Sequence, residues 1–316
     1  MKIKHSRFPA LSLAAVAMLA ILNAHTSTAF AQGSLTPPGA PGATMKSLAQ
    51  IEPRTPISSA PFTISTPGSY YLTANLTVSG GDAIIIATNG VTLDLNGFTI
   101  SSTGASMTGG GVAFNGGWRN ITIANGFIQG GVTNNGSGAY SGSGFGYGIY
   151  NSGSPPANVL VSRVSVSGCR FHGIQLAYAD STVVENCTVR TVGSDGISAS
   201  IIKSCSAMDC GLMAIYGYEV SDSRGQSSSD YGLYARTAQN CYGASRSGYG
   251  LYAITALNCY GYSYGSSYGL YASGTATGCY GYSYTGTGLY AFIANVCHGE
   301  TGSGTALSTH HNVNSY

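Results

Sequence analysis

The chain has 316 residues, 8% of them charged, with a formal net charge of +2. Disordered chains carry many charges and few aromatics, whereas this one has 23 tyrosines among its 46 glycines, so an ordered repeat is expected. The balanced charge, with no cluster of Lys and Arg, argues against nucleic acid or an anionic membrane as partner.

In chain order, Lys2, Lys4 and Arg7 come first, then an apolar stretch from Ala10 to Leu22, then Ala29-Phe30-Ala31. A basic start, a short apolar run and a small-x-small site make a secretory signal peptide over residues 1–31, with cleavage expected after Ala31. The apolar run is short for a span and no second one follows, so the mature form is expected to have no membrane span. Without the leader, 10 basic residues face 11 acidic ones, a formal charge of −1. The expected location is extracellular, cell-surface or periplasmic. Residues 32–60, rich in Pro, Ala, Ser and Thr, are expected to form a linker or N-terminal cap.

From Val183 to Ser308 the sequence repeats. One column reads Cys187, Cys205, Ser223, Cys241, Cys259, Cys279, Cys297; another reads Ile197, Ile215, Leu233, Leu251, Leu270, Leu289, Leu307. Each copy has two short segments that alternate apolar and polar residues, the period of a half-buried strand, separated by Gly and Ser turns. One such pair of strands cannot bury its apolar face alone, but stacking in register can. The Ile column extends back through Ile84, Val112, Ile149 and Ile174, giving about eleven coils over residues 61–308, the later ones 18–19 residues long. A left-handed β-helix of three hexapeptides per coil is the structural rival, but Leu251 and Cys259 lie off that register. The expected fold is therefore all-β, a right-handed parallel β-helix, with 309–316 as a C-terminal cap or tail.

Pro67-Gly68-Ser69-Tyr70-Tyr71-Leu72, followed by VTLDLNGFTI, resembles the opening coils of secreted bacterial right-handed β-helix repeat proteins. The GLYA and NCYG units resemble the tail of a subgroup of them. The resemblance covers roughly residues 45–316 and implies a pectate-lyase-like fold. It does not imply that family's activity, because one fold hosts many functions.

The Cys and Leu columns are expected to point inward, with cysteines mostly reduced. Bridged pairs are the alternative, since neighbouring rungs lie ~4.8 Å apart. Three tyrosine rows are expected outside: Tyr216, Tyr234, Tyr252, Tyr271 and Tyr290; Tyr231, Tyr249 and Tyr268; and Tyr242, Tyr260 and Tyr280. Such rows could offer aromatic faces for sugar rings to stack on, or simply stabilise adjacent strands.

Candidate chemistry lies upstream, because no Asp or Glu occurs between Tyr231 and Gly299. His172 and Asp195 each precede a Gly-Ile pair on successive coils. A loop near Asp180 and the nearby Arg163 complete a candidate acid–base group for a lyase or epimerase acting on an acidic polysaccharide. No metal site and no cofactor is expected. The leading expectation is a non-enzymatic β-helix that binds polysaccharide or a cell-surface or matrix component through tyrosine rows, with the enzyme and a purely structural spacer as alternatives.

Overall fold

The computed structural model describes residues 53–176 and 181–316. The signal-peptide reading, linker residues 32–52 and the 177–180 stretch with Asp180 lie outside these residues. The described chain is a parallel β-solenoid of about 13 turns, with no helix among the described residues. Each full turn contributes strands to three parallel ladders. The first face carries Ile84, Val112, Ile149, Ile174, Ile197 and the Leu column. The second runs through Leu93, Ile123, Val161 and Val184. The third runs through Leu76, Ile100, Ile128, Val166 and Val189.

The count exceeds eleven because turns precede Ile84, the rung at which the Ile column begins, and the winding starts at Thr55, inside the expected linker. Thr55–Ile57 already pairs with Tyr70–Leu72, and Phe62–Ile64 with Ile84–Ile86. These strands of three residues, one containing Pro56, are too short to display a period. At the other end Thr305–Val313 pairs with Thr287–Asn295, so the expected tail continues the winding past residue 308.

The late repeat has one structural task per residue. Asn258 adopts a left-handed backbone (φ 51°) that turns the chain from the second face to the third. Asn125, Arg163, Asn186, Ser204, Asp222, Asn240, Gly278, Val296 and Asn314 hold the same conformation at the same corner. Asn and Gly tolerate it best, which accounts for the partial Asn column in the sequence. Next comes the buried Cys. Its thiol donates to the carbonyl two residues back: Cys241 to Gln239 at 3.1 Å, Cys259 to Leu257 at 3.2 Å and Cys279 to Thr277 at 3.3 Å. Ser223 does the same towards Ser221 at 2.7 Å. The column therefore selects a small side chain with one donor, and all eight cysteines are free and buried. In Tyr260-Gly261-Tyr262-Ser263 the tyrosines face out. Ser263 is fully buried and donates to the Gly248 carbonyl at 3.0 Å.

The interior narrows along the chain. The inward position of the third face goes from Leu76 and Ile100 through Val166, Val189 and Ala207 to Gly225, Gly243, Gly261, Gly281 and Gly299. On the second face it goes from Leu93 and Ile123 through Val220 to Ala238, Ala256, Ala276 and Ala294. Successive register partners on the first face are 18 or 19 residues apart after Ile197 and further apart before it. A shorter turn encloses less volume, so close packing requires smaller inward side chains. At Gly261 the faces approach so closely that a Cβ would lie 2.1 Å from the Gly269 carbonyl oxygen.

Candidate functional site

The tyrosine-rich rungs put aromatic side chains on the first face, on the third face and at the turn joining them. On the first face, Tyr216, Tyr234, Tyr252, Tyr271 and Tyr290 are strict register partners. Their ring centroids follow one another at 4.9, 4.8, 5.2 and 4.6 Å, with planes within 13° of parallel. On the third face, Tyr242, Tyr260 and Tyr280 stack at 5.2 and 4.7 Å, and His298 continues the row. Tyr262 and Tyr282 form a second row there at 4.7 Å. The expectation did not include this row, although the paired Tyr-Gly-Tyr-Ser segments contained its signal.

This geometry corrects the expected mode of contact. In a stacked row the ring faces are turned along the solenoid axis and covered by their neighbours. Edges and hydroxyls remain to face solvent. The row Tyr231, Tyr249 and Tyr268 differs. Tyr231 lies 77° from Tyr234, and Tyr268 lies 78° from Tyr271. Those two rings are turned out of the stack and present a different aspect from the rest. The phenols of Tyr231, Tyr249 and Tyr271 are pushed up, first by burial and then by neighbouring phenols, with Asp230 adding to the effect at Tyr231, so they are protonated donors at neutral pH. The hydroxyls of Tyr234, Tyr252, Tyr271 and Tyr290 find no partner among the described residues and are not buried.

His172 and Asp195 come together as the spacing suggested, with His172 Nδ1 3.4 Å from Asp195 Oδ2. They occupy the same corner column as Tyr231, Tyr249 and Tyr268, two residues before the core Ile or Leu. Their hydrogen bonds are those of corner caps. The Asp195 amide donates to His172 Nδ1 at 3.3 Å, and the Met213 amide donates to Asp195 Oδ1 at 3.1 Å. Further up the column the Gly110 amide donates to Asp82 Oδ1 at 2.8 Å. Each side chain thus accepts the amide of the next rung. Accepting at Nδ1 puts the neutral imidazole's proton on Nε2, so Asp195 does not orient a proton on Nδ1 as it would beside a catalytic base.

Arg163 is not brought to this pair. It sits at the left-handed corner between the second and third faces, where its Nε donates to Asn125 Oδ1 at 2.7 Å. A whole third-face strand separates that corner from the one holding His172. Glu185 and Lys203 are register partners but form no ion pair. Among the described residues no cluster of three or more His, Cys, Asp or Glu could hold a metal.

Fold and surface together define a parallel β-solenoid with outward aromatic rows. No family model matches the chain, and no curated protein or solved structure matches it either.

Proposed function

We propose that this is an exported, right-handed β-helix that binds polysaccharide, or a glycan-bearing surface, through its tyrosine rows without transforming it. The observation that carries this reading is the first-face row, where Tyr234, Tyr252, Tyr271 and Tyr290 hold solvated hydroxyls in register on successive rungs. A saccharide offers a matching periodic set of hydroxyl donors and acceptors, and phenol edges supply apolar contact beside them. A large aromatic surface marks an interaction site more often than an inert one. Stacking within the row also stabilises the fold, and it fixes the hydroxyl spacing in advance, which lowers the entropy lost on binding. The corner-cap bonding of His172 and Asp195 favours binding over catalysis.

The test is a glycan array probed with the mature protein and with a Tyr252→Ser/Tyr271→Ser variant whose circular dichroism matches the parent. Binding by the parent that falls at least about tenfold in the variant is expected, as for losing several contacts worth about 1 kcal/mol each. Absence of glycan binding by the parent would remove the reading.

A further inference from the structure

A second surface, away from the first-face row, has a different chemistry. Between the third-face residue Gln129 and the first-face residue Tyr147, the chain leaves the solenoid and returns as an antiparallel pair, Thr133–Asn134 with Tyr140–Ser141. Side-chain hydrogen bonds tie this hairpin to later rungs. Asn134 Nδ2 donates to Asp209 Oδ1 at 2.6 Å, and the Tyr140 hydroxyl donates to the same oxygen at 3.0 Å. Arg170 donates to the Tyr140 carbonyl at 2.8 Å, and Arg246 donates to the Gly136 carbonyl. Beside it on the third face lies a cavity of about 250 Å³ lined by Arg190, Asp209, Gln226, Ser227, Ser228 and Arg246. A neighbouring cavity of about 470 Å³ shares Gln226 and Arg246 and reaches Tyr264.

The charges here are unequal. Asp209 is already satisfied, with two donors on Oδ1 and Thr191 on Oδ2 at 2.9 Å. No guanidinium pairs with it. Arg190 is exposed and has no hydrogen-bond or ion-pair partner among the described residues, and Arg246 uses one nitrogen on a neutral carbonyl. Two guanidiniums therefore face the space with donors to spare. Planar guanidinium forks recognise carboxylate and sulfate oxygens, often through two bonds at once. At the far end the Tyr264 ring is 51% exposed and tilted 53° from Tyr262, outside the parallel stack. It offers the ring surface that the stacked rows lack.

We propose that this cleft binds the anionic group of an acidic saccharide, with Arg190 and Arg246 holding its carboxylate or sulfate and Tyr264 supporting the attached sugar ring. This deepens the glycan-binding reading and rests on it, and it names the ligand class as a charged polysaccharide.

Calorimetry on the mature protein tests it with three oligosaccharides of equal length: a uronate, a sulfated one and a neutral one. The variants are Arg190→Gln, Tyr264→Ser and Tyr252→Ser. Arg190→Gln removes no internal hydrogen bond, so its fold is expected to persist. One or both charged ligands are expected to bind more tightly than the neutral one, and more weakly as salt is raised. Arg190→Gln and Tyr264→Ser are each expected to weaken that binding about tenfold, in line with loss of a charge-assisted hydrogen bond or an aromatic contact. The charged ligand that binds identifies carboxylate or sulfate. Equal binding of the neutral ligand, or unchanged binding by Arg190→Gln, overturns the cleft. If binding is then lost only in Tyr252→Ser, the tyrosine-row reading stands without it. Binding of none of the three overturns both.

Discussion

The Cys259 amide donates to the thiol of Cys279, one rung further on, at 3.4 Å, and that thiol itself donates to the Thr277 carbonyl at 3.3 Å. The same relation recurs where the Cys205 amide meets Ser223 Oγ at 3.1 Å and the Cys297 amide meets Ser315 Oγ at 2.9 Å. The column is thus a polar seam inside an apolar core, accepting amides just past the left-handed corner and adding a second donor to carbonyls that already accept a corner amide.

Serine should therefore replace a ladder cysteine at little cost. Cys279→Ser is expected to lose less than about 1 kcal/mol, whereas Cys279→Ala strands the buried Cys259 amide and is expected to lose about 1–3 kcal/mol. Denaturant midpoints of the two variants measure the difference. Equal losses would show that the seam is merely apolar. The thiols of Cys169 and Cys279 are also expected to be inert to modifying reagents in the native state. Burial pushes Cys169 up to about 12, and hydrogen bonding to the preceding thiol is the largest cause that pushes Cys279 up to about 12.

The narrowed interior predicts intolerance to the smallest enlargement. The added methyl of Gly261→Ala would lie 2.1 Å from the Gly269 carbonyl oxygen and 2.9 Å from Leu270 Cα, both backbone atoms. A loss of about 3 kcal/mol or failure to fold is expected. Gly97→Ala, with open space at its Cβ but φ of 76°, is expected to lose only about 1 kcal/mol. Thermal unfolding of both compares backbone strain with steric exclusion.

Val296 occupies the left-handed corner at φ 52°, is 60% exposed and is β-branched. Its counterparts include Asn240 and Asn258, residues that adopt this conformation at lower cost. Val296→Asn is expected to stabilise the protein by about 1 kcal/mol. A raised unfolding midpoint with an unchanged denaturant slope is the result to look for.

Two phenols predict alkaline behaviour. Burial raises Tyr140 and Tyr150 well above the ordinary value, reinforced by Asp209 at Tyr140 and by Asp82 at Tyr150, which accepts the Tyr150 hydroxyl at 2.9 Å. Groups with raised values in the fold hold their protons more tightly there than in the unfolded chain. Their stabilisation is complete below the unfolded value of about 10 and is lost as pH rises beyond it. Stability should fall steeply above about pH 10. In Tyr150→Phe the fall should be shallower, although stability at neutral pH is lower by about 1 kcal/mol for the lost hydrogen bond. Urea titrations at a series of alkaline pH values provide the check.

Periodic features were legible in the sequence because a solenoid places equivalent residues one turn apart. The Cys column, the Ile and Leu column, the first-face tyrosine row and the meeting of His172 with Asp195 all follow from counting along the chain. So does the parallel stacking, since alternating strands of this length bury their apolar sides only against copies of themselves. The tertiary structure decided what counting cannot reach. Whether a tyrosine ring lies in the stack or turns out of it depends on the packing of its neighbours, as at Tyr268 against Tyr271. The first strand, Thr55–Ile57, in the stretch expected to be linker or cap, became visible only through its pairing partner. The hairpin cleft joins Gly136 to Arg246 and Asn134 to Asp209, contacts 110 and 75 residues apart that no repeat period encodes. A repeat specifies relations between neighbouring rungs, whereas an insertion is placed by whichever side chains it meets when it folds back across several of them.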